Sequence, residues 1–119
     1  MATTTIAAWV AMVERRQTKV IQLASGEAGS RLVERTPVRT GKARQGWGAG
    51  KNGFNRNGGG RIVEVASSLQ PGDAFTVTNT VSYIRPLDTG WSAQAPAGMV
   101  DPTVVEWRSI VSWAVERAR

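Results

Sequence analysis

The chain has 119 residues, 15 Lys or Arg against 9 Asp or Glu, a net charge of +6, and neither cysteine nor histidine. That length suits one domain around one modest core; the missing thiols exclude a disulfide framework and a thiolate zinc site, and the missing imidazoles remove the commonest general base and metal ligand. No run of 18 apolar residues is present, and Met1–Ile6 has neither the basic start nor the apolar run of a secretory signal, so use in the cytoplasm without a membrane span is expected.

Residues 5–35 read as one long helix. Ile6, Trp9, Val10, Val13, Val20, Ile21, Ala24, Ala28 and Leu32 recur close to a 3.6-residue period and form one apolar stripe. Thr3, Thr4 or Thr5 serves as its cap. Gly26 and Gly29 weaken its centre by about 1 kcal/mol each relative to Ala, which places a kink or early end there. Pro37 stops the helix, because the residue before a proline disfavours the helical region. Unbroken, it would be about 45 Å long, more than the ~26 Å across a compact domain of this size. Such a helix breaks or projects toward another subunit.

A turn at residues 36–41 follows, then a short strand over 43–47. The glycine-rich stretch Gly48–Gly60 reads as a mobile loop. Ile62–Ala66 is rich in β-branched residues and reads as a strand. Pro71, Gly72 and Asp73 mark a turn. From Phe75 to Tyr83 apolar and polar residues alternate, which places Phe75, Val77, Asn79, Val81 and Tyr83 on one face of a strand. Residues 84–100 read as an irregular, extended loop. A C-terminal helix over 101–119 opens with Asp101 as N-cap and Pro102 at the first helical position. The expectation is an α+β fold in a single domain 1–119: a long N-terminal helix, a small antiparallel sheet of about three strands with a glycine-rich loop, and a C-terminal helix.

Charge is uneven along this plan. Arg35, Arg39, Lys42, Arg44, Lys51, Arg56 and Arg61 fall in one stretch that contains no acid. Either the stretch is a solvated loop region, or it faces nucleic acid or an acidic partner subunit.

Motifs for chemistry are weak. Gly48-Ala49-Gly50-Lys51-Asn52-Gly53 matches the dinucleotide glycine pattern and Asp73 lies twenty residues beyond, but no helix follows to receive a pyrophosphate. The phosphate-loop pattern fails too, with Gln45 at the first glycine and Asn52 at the Mg²⁺ ligand. Glu64, Asp73 and Asp88 stand alone. No catalytic constellation, cofactor site or metal site is expected, and the chain does not read as an enzyme. Of the five tryptophans, Trp9 and Trp107 lie on apolar helix faces and are expected in the core. Trp47 and Trp91 sit beside glycines and suit either a satellite core or a subunit contact.

Two segments carry a resemblance. Thr36-Pro37-Val38-Arg39-Thr40-Gly41-Lys42-Ala43-Arg44-Gln45-Gly46-Trp47 resembles the TPVDTG…LR…SW signature of the neck or minor tail component family of long-tailed double-stranded DNA phages, the family of lambda minor tail protein Z. Asn79-Thr80-Val81-Ser82-Tyr83, followed by Leu87-Asp88-Thr89-Gly90-Trp91-Ser92-Ala93-Gln94-Ala95-Pro96-Ala97-Gly98-Met99-Val100, is similar to that family's stretch before a C-terminal helix. Arg39 stands where the family usually has an acid, Gly46 where it has Ser, and Asp88 where it has Glu.

The resemblance implies a structural protein of the virion, assembled in the host bacterial cytoplasm. Its subunits would form a homo-oligomeric ring, six-fold closure being one arrangement, between the DNA-filled head and the tail. Its partners would be further copies, neighbouring head-completion proteins and tail terminator or tube proteins, with non-specific contact to packaged DNA. Arg39, Lys42, Arg44, Lys51, Arg56 and Arg61 would face the DNA channel or an adjoining ring. Thr36, Pro37, Thr40, Gly41, Trp47, Tyr83, Asp88, Gly90, Trp91, Ser92, Gln94, Ala95, Pro96, Gly98 and Met99 would make the family motif and subunit interface, with Met99 filling a neighbour's shallow pocket. The alternatives are a tail terminator-like ring protein and a free-standing, sequence-independent DNA-binding module that stacks bases on Trp47 and Phe54.

Overall fold

The computed structural model describes residues 5–38, 41–53, 60–90 and 92–119. Helix α1 spans Ile6–Arg35 without a break, capped by Thr5, whose hydroxyl accepts from the Ala8 amide at 3.1 Å. The two glycines do not end it, and they make room for a neighbour. Helix α3, Ile62–Ala66, crosses α1 there: a Cβ on Gly29 would overlap Ile62, and one on Gly26 would touch the Ala66 Cβ at 3.6 Å. Thr36 leaves the helix in extended conformation (ψ 125°), as the following Pro37 demands.

A one-turn helix α2, Lys42–Gln45, comes next where a strand over 43–47 was expected; Gly41 starts it at φ 86°. Strand β1, Trp47–Lys51, pairs antiparallel with β2, Phe75–Asn79, in the register Trp47 to Asn79 through Lys51 to Phe75. Among the described residues the sheet therefore has two strands, not about three. The expected strand at 62–66 is α3 instead. Ile62 and Ala66, four residues apart, share one helix face and are both buried, whereas Val63 and Glu64 between them are exposed. Burial on α1 overrides β-propensity in so short a segment.

β2 ends four residues earlier than its alternation suggests. The Asn79 side chain donates to the Ala43 carbonyl at 2.7 Å and accepts from the Val81 amide at 3.0 Å, which turns the chain out of the strand. Residues 84–100 are not wholly irregular, since Ile84–Asp88 form helix α4. The C-terminal helix is two pieces, α5 (Val100–Val105) and α6 (Trp107–Arg117), joined at Glu106. Asp101 lies inside its first turn and is not the cap.

Two apolar clusters hold the elements together. One gathers Trp47, Ala49, Ile62, Ala95 and Met99 between the sheet, α3 and the 84–99 segment, with Leu32 and Val33 of α1 against it. The other packs Ile110 and Ala114 of α6 around Ala24 of α1. Trp9 and Trp107 belong to neither. They are 54% and 46% exposed, a correction to their expected place in the core.

Ionic contacts seat the α5–α6 junction on α1. Glu106 accepts from Arg31 at 2.5 Å and also pairs with Arg35, while Arg31 reaches Glu27 at 2.9 Å and Arg35 donates to Thr103 at 2.7 Å. The Arg31 hydrogen bond, reinforced by Arg35, holds the Glu106 carboxyl below its usual range against the opposing effect of desolvation. Glu27 first, then Glu106, raise Arg31.

Candidate functional site

The two motif segments, separated by more than thirty residues of chain, meet in the folded protein. Their contacts are made largely by the motif's own side chains. The buried Thr36 hydroxyl donates to Leu32 O at 2.7 Å and accepts from the Trp47 indole nitrogen, also at 2.7 Å. Trp47 is thereby a core residue. Arg44 wraps back to donate to the carbonyls of Glu34 and Thr36 at 3.0 and 3.1 Å, so a cation closes the carboxyl end of α1.

Across the junction, the Gln94 carboxamide treats Val38 as a strand neighbour would. Its Oε1 accepts from the Val38 amide at 2.9 Å and its Nε2 donates to the Val38 carbonyl at 3.2 Å. Asp88 Oδ1 accepts from the amides of Met99 and Val100, both at 3.0 Å, and so closes the start of α5 from twelve residues upstream. The Ser92 hydroxyl accepts from the Gln94 amide at 3.2 Å.

Two glycines let this segment fold on itself. Gly90 and Gly98 have φ of +93° and +77°, and a Cβ on either would press on a backbone carbonyl, that of Pro96 or Asp88. Gly46 is equally constrained: a Cβ would lie 2.6 Å from Val81 and 2.7 Å from the Asn79 amide oxygen. Met99 and Ala95 are buried in the chain's own core, at 0% and 6% exposure. Met99 is thus not free to fill a neighbour's pocket, which corrects the expectation drawn from the sequence; Pro96 beside it is exposed.

Between the segments lies an apolar groove of about 730 Å³, lined by Pro37, Val38, Ala43, Tyr83, Leu87 and Gln94, with Lys42 the one charged side chain among the described residues that line it. Val38 and Tyr83 are exposed on its walls at 40% and 39%. Leu87 and Ala43 join the groove although spacing alone did not single them out for this role.

Several of the described basic residues have partners within the chain. Arg35 is committed to Glu106 and Thr103, and Arg44 to backbone carbonyls. Lys51 donates to the Ser68 carbonyl at 3.3 Å and lies 3.9 Å from Asp73. Arg61 precedes α3 with φ 59° and is exposed. Arg39, Thr40, Phe54, Arg56 and Trp91, and with them residues 54–59 of the glycine-rich stretch, lie outside the described residues.

Asp73 closes the turn before β2: it accepts from the Gln70 amide at 2.8 Å and from Asn52 at 3.1 Å. The Gln70 hydrogen bond, then that from Asn52, lower its carboxyl below the usual range. Gly48 to Lys51 are strand, so the glycine pattern makes no phosphate cradle in this part of the chain. Among the described residues no group of three or more acidic side chains is placed to hold a metal ion, and no helix is long and apolar enough to cross a membrane.

Comparison of the chain with protein-family models, with curated proteins and with solved structures finds no match.

Proposed function

We propose that this chain is a structural subunit of a tailed phage, one of a ring of copies at the junction of head and tail. The observation that carries the reading is the mutual engagement of the two motif segments, Gln94 on Val38 and Asn79 on Ala43. Residues that resemble a family signature here share hydrogen bonds and enclose a groove, and they are not scattered over the surface.

Exposed apolar surface supports an assembling protein. Ile6, Trp9 and Val10 on α1, and Val104, Val105 and Trp107 at the α5–α6 junction, are large hydrophobic side chains left in water. Clusters of this kind mark contact surfaces. The extents of 61 × 26 × 18 Å describe a body with a projecting helix. The DNA-binding alternative has less support, because Arg35, Arg44 and Lys51 have partners within the chain.

The test is genetic. A phage lacking this chain should accumulate filled heads and finished tails that fail to join, and supplying the chain should restore particles. Normal yields of joined particles without it would refute the proposal.

A further inference from the structure

We infer that the amino-terminal end of α1 of one copy seats in the Pro37–Gln94 groove of the next, so that copies associate head to tail. The inference rests on the assembly reading above and names the partner of its groove.

The two surfaces match in chemistry. Residues 5–10 are exposed without exception, and Ile6, Trp9, Val10 and Val13 stand at helical spacing on one side. This is the same stripe that, at Val20, Ala24 and Ala28, α6 already covers. α6 has only eleven residues, about 16 Å against the ~45 Å of α1, so the covered stripe continues uncovered. A projecting turn or two of helix is marginal in water unless its apolar face is packed. The groove is the converse: an apolar concavity of about 730 Å³ with exposed Val38 and Tyr83 in its walls. Clefts of roughly 300–1,000 Å³ bury substantial ligands, and an aromatic anchor such as Trp9 is the usual centre of such a contact.

Charge agrees. Residues 5–14 carry a single charge, Glu14, in a chain that is otherwise strongly basic, and the described residues that line the groove include Lys42 and no acid.

Geometry makes the contact intermolecular. The groove begins just past the carboxyl end of α1, about 40 Å from Trp9, so a chain cannot fill its own groove. A contact between different patches on each copy is heterologous, and it closes into a ring where the rotation allows. Two or three helical turns bury less than the ~800 Å² per partner of a standard interface. Single contacts are therefore weak, and closure adds the avidity that holds the ring.

The experiment uses two exposed substitutions, Trp9→Asp on the helix and Val38→Asp in the groove, with native mass spectrometry and sedimentation at high micromolar concentration. The unaltered chain should form concentration-dependent oligomers. Each variant alone should lose association at least about tenfold, while circular dichroism shows the fold intact. Mixed, the two variants retain one good helix end and one good groove, and should form a heterodimer that grows no further. Two cysteines in this thiol-free chain give a second readout: an Ile6→Cys/Tyr83→Cys protein should crosslink between copies on oxidation. Self-pairing of Val38→Asp alone would show that helix ends pair with each other and overturn the inference. Oligomers that survive both substitutions would overturn it while leaving the assembly reading intact. An unaltered chain that stays monomeric at every concentration would also overturn it, and the genetic test would still judge the wider reading separately.

Discussion

The Asp88 carboxylate sits 3.0 Å from the backbone amides of both Met99 and Val100. One side chain thereby satisfies two of the unpaired donors at the start of α5 and ties the end of α4 to it. Asp88→Ala should cost about 1–2 kcal/mol, in the range of lost helix caps, with Asp88→Asn losing less because its oxygen still accepts. Chemical denaturation of the three proteins measures this. Equal stability for Ala and Asp would remove the cap from the account.

The buried pair Thr36 and Trp47 makes a second prediction. Thr36→Val keeps the shape but removes the hydroxyl that accepts from the indole N–H at 2.7 Å. A loss of about 1–3 kcal/mol is expected from an unsatisfied buried donor. Trp47→Phe in the same background should then cost less than it does alone, which a double-mutant cycle reads directly.

Gly26 and Gly29, three residues apart on α1, should respond to alanine with opposite signs. At Gly26 the added methyl makes an ordinary contact of 3.6 Å with Ala66, so the gain in helix propensity, up to about 1 kcal/mol, is expressed. At Gly29 the methyl runs into Ile62, a buried and β-branched side chain with little freedom to move. Overpacking costs about 1–3 kcal/mol and outweighs the propensity gain. Thermal unfolding of the two variants checks the order, and a Gly29→Ala protein more stable than the parent would contradict the packing of α3 on α1.

Acid should loosen the α5–α6 junction. Hydrogen bonding by Arg31 and then Arg35 lowers the Glu106 carboxyl from its ordinary 4.5 in the folded state. The unfolded chain therefore binds the proton first as pH falls. Stability from this group is fully present above about pH 4.5 and declines as pH drops toward the folded value. Glu106→Gln should flatten that limb of the melting temperature against pH, while leaving the limb due to Asp73 in place.

These same residues show what could be read from the chain alone. The extent of α1 was legible because its stripe is long and Pro37 ends it, whereas the role of Gly26 and Gly29 depends on α3, more than thirty residues away. Ile62–Ala66 misleads because β-branched residues in a five-residue run carry no period that separates strand from helix; burial of Ile62 and Ala66 on α1 decides. Trp9 and Trp107 lie on apolar faces as the periodicity says, but a periodicity does not tell how much of a long helix its own chain can cover. At the candidate site, the motif residues Thr36, Trp47, Asp88 and Gln94 were singled out by their pattern. Which of them pair was not, since Gln94 meets Val38 across 56 residues, and neither was the ion pair of Glu106 with Arg35 across 71.

The central claim is that this chain is a building block set between capsid and tail. A reconstruction of intact particles, with mass spectrometry of the same preparation, tests it most directly. The account predicts the chain in the purified particles and a closed ring of its copies at the neck, with the long α1 recognisable in each. Particles that join normally and contain neither the chain nor density for it at the neck would contradict the account.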